Sequence, residues 1–475
     1  MFTRSLRLPS PGFIRSRGGA LGVGRGKVWT RRYSNALYGE QQEADQPSSP
    51  LDEAIKIPAA KLENENLHLD TPRKPSFHQQ VEVELDGKTA TFDSIFLRDS
   101  CKCPVCVNPS STQKTFQTAD IPASIEGSCQ VTSELDEMDL ALINWKNDIS
   151  GYPEGHQTAL PLDFLRESLR LENNHQTRQH IIPQRAFWES KMMNRDIAFL
   201  DYDSYMKSEK TLYQALKLIY THGLVFIKNV PDTTAGDNAQ SVTSVVERIG
   251  SLRETFYGRT WDVKSVPNAK NVAYTNVYLG LHMDLCYMDN TPHLQFLHSM
   301  RARAPGGESM FSDSFYAAEK MRQEAPELFE ALRTFDVTYH YFNDGMAYRQ
   351  IRPTVELVDM GDPTSPIKLI NWSPPFQGPF THDIGTKDGG KALKVYHAAA
   401  QMFDQLTNDT ANMYEYRMNE GDCVIFDNRR VLHARRAFEA AKGERWLKGA
   451  YMDRDVYASK LAVLGEMYGE EGKSQ

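Results

Sequence analysis

The chain has no long hydrophobic run: across its 475 residues nothing approaches the ~20 apolar residues that span a bilayer. Cysteine is sparse as well. Six in a chain of this length do not make a disulfide scaffold, which small secreted domains build from closely spaced pairs. No Gly-x-Gly-x-x-Gly follows a strand-like segment, so a dinucleotide-binding turn has no support. Basic residues are short everywhere except at the start. Eight Lys and Arg precede the first acidic residue, Glu40; taking them from the 54 in the chain leaves 46 against 62 Asp and Glu. A body with that acidic balance lacks the basic face that nucleic-acid binding needs.

What is present begins with that start. Residues 1–33 are arginine-rich, serine-containing and free of acids, the composition of a mitochondrial transit peptide, and Arg31-Arg32-Tyr33-Ser34 resembles an arginine-led cleavage site. The expected destination is the mitochondrial matrix. Residues 34–75 are rich in Gln, Glu, Ser, Pro and Asn and read as a disordered lead-in. The length remaining exceeds one ordinary core, so two domains are expected: 76–178 and 190–467, with a polar seam near 173–178.

In the first domain, alternation from Phe77 to Phe92 about Asp86-Gly87 predicts a β-hairpin. Cys101, Cys103 and Cys106 then crowd together. Cys-x-Cys-x-x-Cys can wrap one soft ion, with a fourth ligand from elsewhere closing a tetrahedral zinc site. His156 is the preferred fourth ligand, in a loop just before a helix expected around Leu162–Leu171; His175 and His180 are competitors. Four protein ligands would make the zinc structural, with no position left for chemistry.

In the second domain, helices are expected at Thr211–Tyr220, Ala239–Ile249, Phe315–Glu324, Pro326–Leu332 and Lys391–Leu406. Short strands are expected at Leu224–Lys228, His293–Met300, Ser309–Asp313, Val337–Tyr341, Tyr414–Met418, Cys423–Asp427 and Val431–Arg435. The fold class is mainly β with decorating helices: a double-stranded β-helix (jelly roll) catalytic domain behind a small α+β zinc-binding domain.

Leu279–Tyr287 reads as a further strand carrying His282 and Asp284, two residues apart and so on one face. An imidazole and a carboxylate are two thirds of the triad that holds non-haem Fe(II). His433, on a late strand, supplies a third ligand from a distance. Arg445, opening the next strand, suits a two-pronged grip on a carboxylate. Each residue alone is ordinary; His-x-Asp, a distal His and a following Arg in that order form the signature of an Fe(II)/2-oxoglutarate dioxygenase.

From about residue 76 to 465 the chain resembles the γ-butyrobetaine hydroxylase and trimethyllysine hydroxylase family. Phe426-Asp427-Asn428-Arg429-Arg430-Val431-Leu432-His433 is close to that family's usual Asp-Asn-Trp-Arg-Val-Leu-His, with Arg429 in place of tryptophan. The resemblance implies an N-terminal zinc module at Cys101, Cys103, Cys106 and His156, and iron at His282, Asp284 and His433. It implies 2-oxoglutarate at Asn271 and Arg445. A small quaternary-ammonium substrate would sit in a cage of Tyr257, Trp261, Tyr274 and Tyr451. A trimethylammonium group cannot be hydrogen-bonded, so aromatic faces are its natural holders. The implied reaction consumes O2 and 2-oxoglutarate, yields succinate and CO2, and hydroxylates γ-butyrobetaine to L-carnitine or, alternatively, trimethyllysine at C3. Ascorbate as reductant and a homodimer are implied as well. One departure stands out: where the family carries paired asparagines for the substrate carboxylate, this chain has Asn371-Trp372-Ser373. Other readings are an inactive fold used for binding, a zinc-module adaptor, and an oxygenase acting on a sulfonate or aryloxyacid.

Overall fold

A computed structural model of the chain describes residues 79–135, 138–169, 184–232, 241–265, 272–381 and 385–469. The basic start, the lead-in, the 173–178 seam, His175, His180 and Asn271 lie outside the described residues.

Strand β1 (Gln80–Leu85) buries Val81, Val83 and Leu85 and exposes the residues between. It pairs antiparallel with β2 (Lys88–Asp93) through Asp86 and Gly87, whose φ angles of 54° and 73° make the tight turn expected of Asp-Gly. Asp93 then caps α1 (Ser94–Asp99) by accepting from the Ile95 N–H. Strands β3 (Glu126–Leu135), β4 (Met138–Lys146) and β5 (Gln157–Pro161) form an antiparallel sheet followed by α2 (Leu162–Ser168). Val81, Val83, Leu97, Ile143 and Leu165 share the core beneath them. The loop between α1 and β3 carries the cysteines.

The larger region opens with α3 (Ser190–Asp196), β6 (Phe199–Asp201), α4 (Tyr202–Lys207), α5 (Glu209–His222), β7 (Leu224–Lys228), α6 (Ser241–Glu247) and β8 (Trp261–Lys264). Next come β9 (Leu279–His282), β10 (Leu294–Ala302), β11 (Ser309–Asp313), α7 (Ser314–Glu324) and α8 (Pro326–Thr334). Two hairpins follow, β12 (Asp336–Asn343) with β13 (Met346–Pro353), and β14 (Val355–Leu357) with β15 (Ile367–Ile370). The chain ends with α9 (Lys387–Asn408), β16 (Met413–Tyr416), β17 (Cys423–Asp427), β18 (Val431–Arg435), β19 (Arg445–Met452) and α10 (Arg454–Tyr468).

Two sheets result, in the orders β6-β7-β17-β10-β19-β8 and β16-β11-β18-β9, antiparallel except for β6 with β7. Period-2 alternation explains how they pack. On β17, Val424 and Phe426 join Phe311, Tyr414 and Val431 of the smaller sheet in one core. Cys423 and Ile425 face the other way, onto Leu216 of α5, Val245 of α6 and Leu461 of α10. On β18, Val431 points between the sheets while Leu432 and Ala434 point out to a core shared with α7, α8 and α9. The molecule is therefore mainly sheet, with helices covering the outer faces. Gly223 lets α5 turn directly into β7: its φ is 76°, and a Cβ there would lie 2.7 Å from a Val431 methyl. Arg430, fully buried, holds the start of β18 through Asp313 at 2.7 Å and the Thr221 carbonyl at 2.8 Å.

Most expected elements recur within a residue or two, and β7, β11, β17 and β18 match at both ends. Three expectations need correction. The strand read through 279–287 stops at His282. The single strand expected near 337–341 is one arm of a hairpin, with a second hairpin after it. The third is an omission: strands β3 to β5 and helix α10 were not anticipated.

Candidate active site

His282 closes β9 and lies across from His433 in the β9–β18 register. The two rings are 4.2 Å apart. His282 Nδ1 is 2.9 Å from the Gly280 carbonyl. A carbonyl only accepts, so Nδ1 carries the proton and Nε2 presents a lone pair. That Nε2 is 3.3 Å from Asp284 Oδ1, and His433 Nε2 is 3.9 Å from the same oxygen. One ligand atom from each residue falls within 4.8 Å of the others.

Asp284 arrives there by a route different from the one expected. It sits in a turn beyond the strand, not two positions along it. The Met283 N–H is taken by the Trp372 carbonyl at 2.7 Å and the Asp284 N–H by Asn428 Oδ1 at 2.8 Å. Asn428 also donates to the Asp284 carbonyl at 3.0 Å and Ser373 to that of Met283 at 2.7 Å. With its polar groups satisfied in this way, the segment can leave the ladder, and Leu285 adopts a φ of 60°. Asn428 is thus a site residue the sequence reading missed, although it lies in the motif that led to His433.

The electrostatics fit a divalent cation. Burial, and then the neighbouring His282, push the His433 imidazole down to about 3, against a smaller pull from Asp284, so it is neutral near pH 7. Burial alone would raise the Asp284 carboxyl, but its close contacts with His282, His433 and the Tyr451 hydroxyl outweigh it and hold the group far below the ordinary carboxylate range. Two imidazole nitrogens and one carboxylate facing a shared point is the donor set of non-haem iron.

The four expected aromatics converge. Tyr257, Trp261, Tyr274 and Tyr451 line one solvent-connected cavity together with His282 and Asp284. Trp261 and Tyr451 stack at 4.0 Å with 25° between their planes. Trp261 can lie flat there because β19 has a glycine opposite it: a Cβ on Gly449 would come within 2.3 Å of the indole. Tyr287 and Phe376, not foreseen, complete the wall. Arg435 is a further missed residue. Its guanidinium accepts nothing and donates to the carbonyls of Ala273 at 3.0 Å, Thr275 at 2.8 Å and Val277 at 2.9 Å, which fixes the turn carrying Tyr274.

Arg445 stands apart from that cavity. It starts β19 on the same face as Tyr451, six residues along, and borders a separate hollow with Gly306, Gly307 and Arg417. Its Nε donates to the Gly307 carbonyl at 3.1 Å. Burial and the nearby Arg435 push its pKa down to about 9, with only a smaller upward pull from Glu308. Among the described residues no carboxylate is within ion-pair distance of it. A partly buried cation with no carboxylate partner is chemically suited to meet an anionic group.

Asn371 is committed elsewhere. Fully buried, its amide accepts from Arg429 at 2.6 Å and donates to the Pro353 carbonyl at 2.8 Å and Glu356 at 2.9 Å. Arg429, the residue that departs from the family motif, is thus tied to the other departure.

In the first region, Cys101, Cys103, Cys106 and His156 bring one ligand atom each within 4.8 Å of the rest. His156 Nε2 lies 3.6, 3.4 and 3.3 Å from the three sulfurs. Asp148 accepts from its Nδ1 at 2.7 Å and from buried Arg98 at 2.6 Å, which sets the tautomer and aims Nε2 at the thiols. Arg98 also reaches Cys106 at 3.3 Å. His156, preferred over two histidines outside the described residues, is therefore with the cysteines, and the Arg98–Asp148 pair behind it was not foreseen.

A sheet sandwich with a two-histidine, one-carboxylate centre beside an aromatic cavity defines the class: the enzyme is a 2-oxoglutarate-dependent dioxygenase. Residues 194–451 match the profile described as taurine catabolism dioxygenase TauD, TfdA family, and residues 76–141 match gamma-butyrobetaine hydroxylase-like, N-terminal. The chain belongs to the TauD, TfdA dioxygenase family. It is 38% identical to dioxygenase str8 of Strobilurus tenacellus, over 78% of this chain and 84% of that one. It is 31% identical to gamma-butyrobetaine dioxygenase of Pseudomonas sp. (strain AK-1), over 82% and 94%. To the mitochondrial trimethyllysine dioxygenase of Mus musculus it is 27% identical, over 82% and 87%.

Proposed function

We propose that this enzyme hydroxylates a small quaternary-ammonium substrate, γ-butyrobetaine in the first instance, to give L-carnitine. The observation that carries the reading is one cavity lined both by His282 and Asp284 and by the rings of Tyr257, Trp261, Tyr274 and Tyr451. Each aromatic face offers a trimethylammonium group about 0.5–2 kcal/mol, and no cation lines the cavity among the described residues to oppose it.

On this reading the sandwich is a double-stranded β-helix, and His282, Asp284 and His433 hold Fe(II). Bound iron, with 2-oxoglutarate and O2, supplies the oxidising power, yielding succinate, CO2 and the hydroxylated product. The chain's own work is positioning. Arg445 anchors the distal carboxylate of 2-oxoglutarate, with Asn271 as a second contact. The aromatic rings hold the cationic end of the substrate and bring the carbon to be hydroxylated toward the metal. Asn428 and Ser373 hold the backbone that presents Asp284. Zinc at Cys101, Cys103, Cys106 and His156 is structural, since four ligands leave it closed. The regions are read as 76–178 and 190–467, behind a transit peptide at 1–33 and a lead-in at 34–75. A mitochondrial site and a homodimer complete the reading, the former supported by the mitochondrial relative.

Two observations favour a second reading, another small substrate or trimethyllysine. Str8 is more similar than either betaine-type relative cited, and Asn371 is not free to receive a substrate carboxylate. The test is incubation of the full chain with Fe(II), ascorbate and 2-oxoglutarate against γ-butyrobetaine and trimethyllysine separately, with product masses measured. Carnitine formed in step with succinate supports the first reading; product from trimethyllysine alone replaces it.

A further inference from the structure

The two oxygens of Asp284 have different partners. Oδ1 faces Nε2 of His282 and of His433. Oδ2 accepts a hydrogen bond of 2.7 Å from the Tyr451 hydroxyl. Tyr451 is 2% exposed, and its ring cannot swing away easily, because Trp261 is stacked on it and lies in the space left by Gly449. The same tyrosine therefore forms a wall of the substrate cavity and grips the carboxylate of the candidate metal centre.

We propose that Tyr451 is a positioning residue for the metal: by occupying Oδ2 it fixes the carboxylate plane and leaves Asp284 to offer a single oxygen. This rests on the metal reading of the His282–Asp284–His433 group, and needs no particular substrate. A carboxylate free to bind through both oxygens would fill one of the positions that 2-oxoglutarate and O2 require. Because the hydroxyl and the ring belong to one side chain, anything that settles against the ring also steadies the hydrogen bond, so cavity occupancy and ligand geometry are linked through one residue.

The test is titration of the full chain, zinc retained, with Mn(II), free ion being read by electron paramagnetic resonance. Tyr451→Phe keeps the ring and its stacking and removes only the donor. Loss of a group that orients a metal ligand weakens affinity about 10- to 100-fold, and that is the shift expected, with a much smaller change in KM for a quaternary-ammonium substrate. Trp261→Phe should do the opposite, raising KM and leaving Mn(II) affinity in place. Installing 4-aminophenylalanine at position 451 restores a donor, and should recover most of the affinity even where Tyr451→Phe folds poorly. Unchanged Mn(II) affinity in Tyr451→Phe, or no recovery with the amino analogue, overturns the proposal. If His433→Ala leaves Mn(II) binding of the wild type unaltered, the metal reading falls and this inference with it. Since the titration uses no substrate, failure of the betaine reading cannot be mistaken for failure of this one.

Discussion

Replacing Arg445 by methionine should move two quantities in opposite directions. The guanidinium is largely shielded from water, and its pKa is pushed down to about 9 through desolvation and then the charge of Arg435. At about 1.4 kcal/mol per unit this is an upper bound of roughly 5 kcal/mol against the charged form in the folded protein. A lowered pKa on a base penalises the protonated state, so the cost is present throughout the range below about 9 and fades above it. Methionine removes that cost. It also removes the hydrogen bond to Gly307, worth about 1.5–3 kcal/mol for a charged donor, and the packing on Phe438. The balance is a gain of about 1–3 kcal/mol for the protein without 2-oxoglutarate, a rise of several degrees in Tm at pH 7. Binding of 2-oxoglutarate should suffer by about 2–5 kcal/mol, the usual loss when one member of a buried charge pair is cut away. Differential scanning fluorimetry with and without 2-oxoglutarate reads both effects. A lower Tm together with undiminished stabilisation by 2-oxoglutarate would refute the reasoning, and would mean that Arg445 is a structural cation with no carboxylate to meet.

Three further substitutions probe the cysteine site and the aromatic wall. Asp148→Asn should lower zinc affinity about 10- to 100-fold by releasing the His156 tautomer, measured as zinc retained through dialysis against a chelator, while Cys103→Ser should lose the metal outright. Gly449→Ala places a methyl 2.3 Å from the Trp261 indole, so the ring must shift; KM for a quaternary-ammonium substrate should rise several-fold, as expected when a contact worth about 1 kcal/mol is misaligned, with little change for 2-oxoglutarate.

How much could be read before any coordinates depended on whether a residue's role is local. The cysteine cluster was legible because three soft ligands in so short a span have few other uses, and His433 because it ends a distinctive motif. The hairpin at Asp86-Gly87 and the stop at Gly223 were legible because both need positive φ. Asp284 does lie beside His282 but for a different reason: a period-2 argument put it there, whereas Asn428, far along the chain, holds it in a turn. Nothing near Asp284 announces that partner. Arg98 and Asp148 are a similar case, fifty residues apart and meeting behind His156. Arg435 was read only as the end of a short strand, and its use of three carbonyls shows only once the 272–277 turn folds over it. The cavity's outer wall, Tyr287 and Phe376, was hidden because aromatic residues are common and most serve only in packing.

If His282, Asp284 and His433 meet at one ferrous ion, anaerobic absorption spectroscopy of the full chain shows it most directly. Wild-type protein should develop a visible charge-transfer band when Fe(II) and 2-oxoglutarate are both added and with neither alone, and His433→Ala should abolish it while retaining its zinc and its fold. A band of undiminished strength in His433→Ala would contradict the assignment.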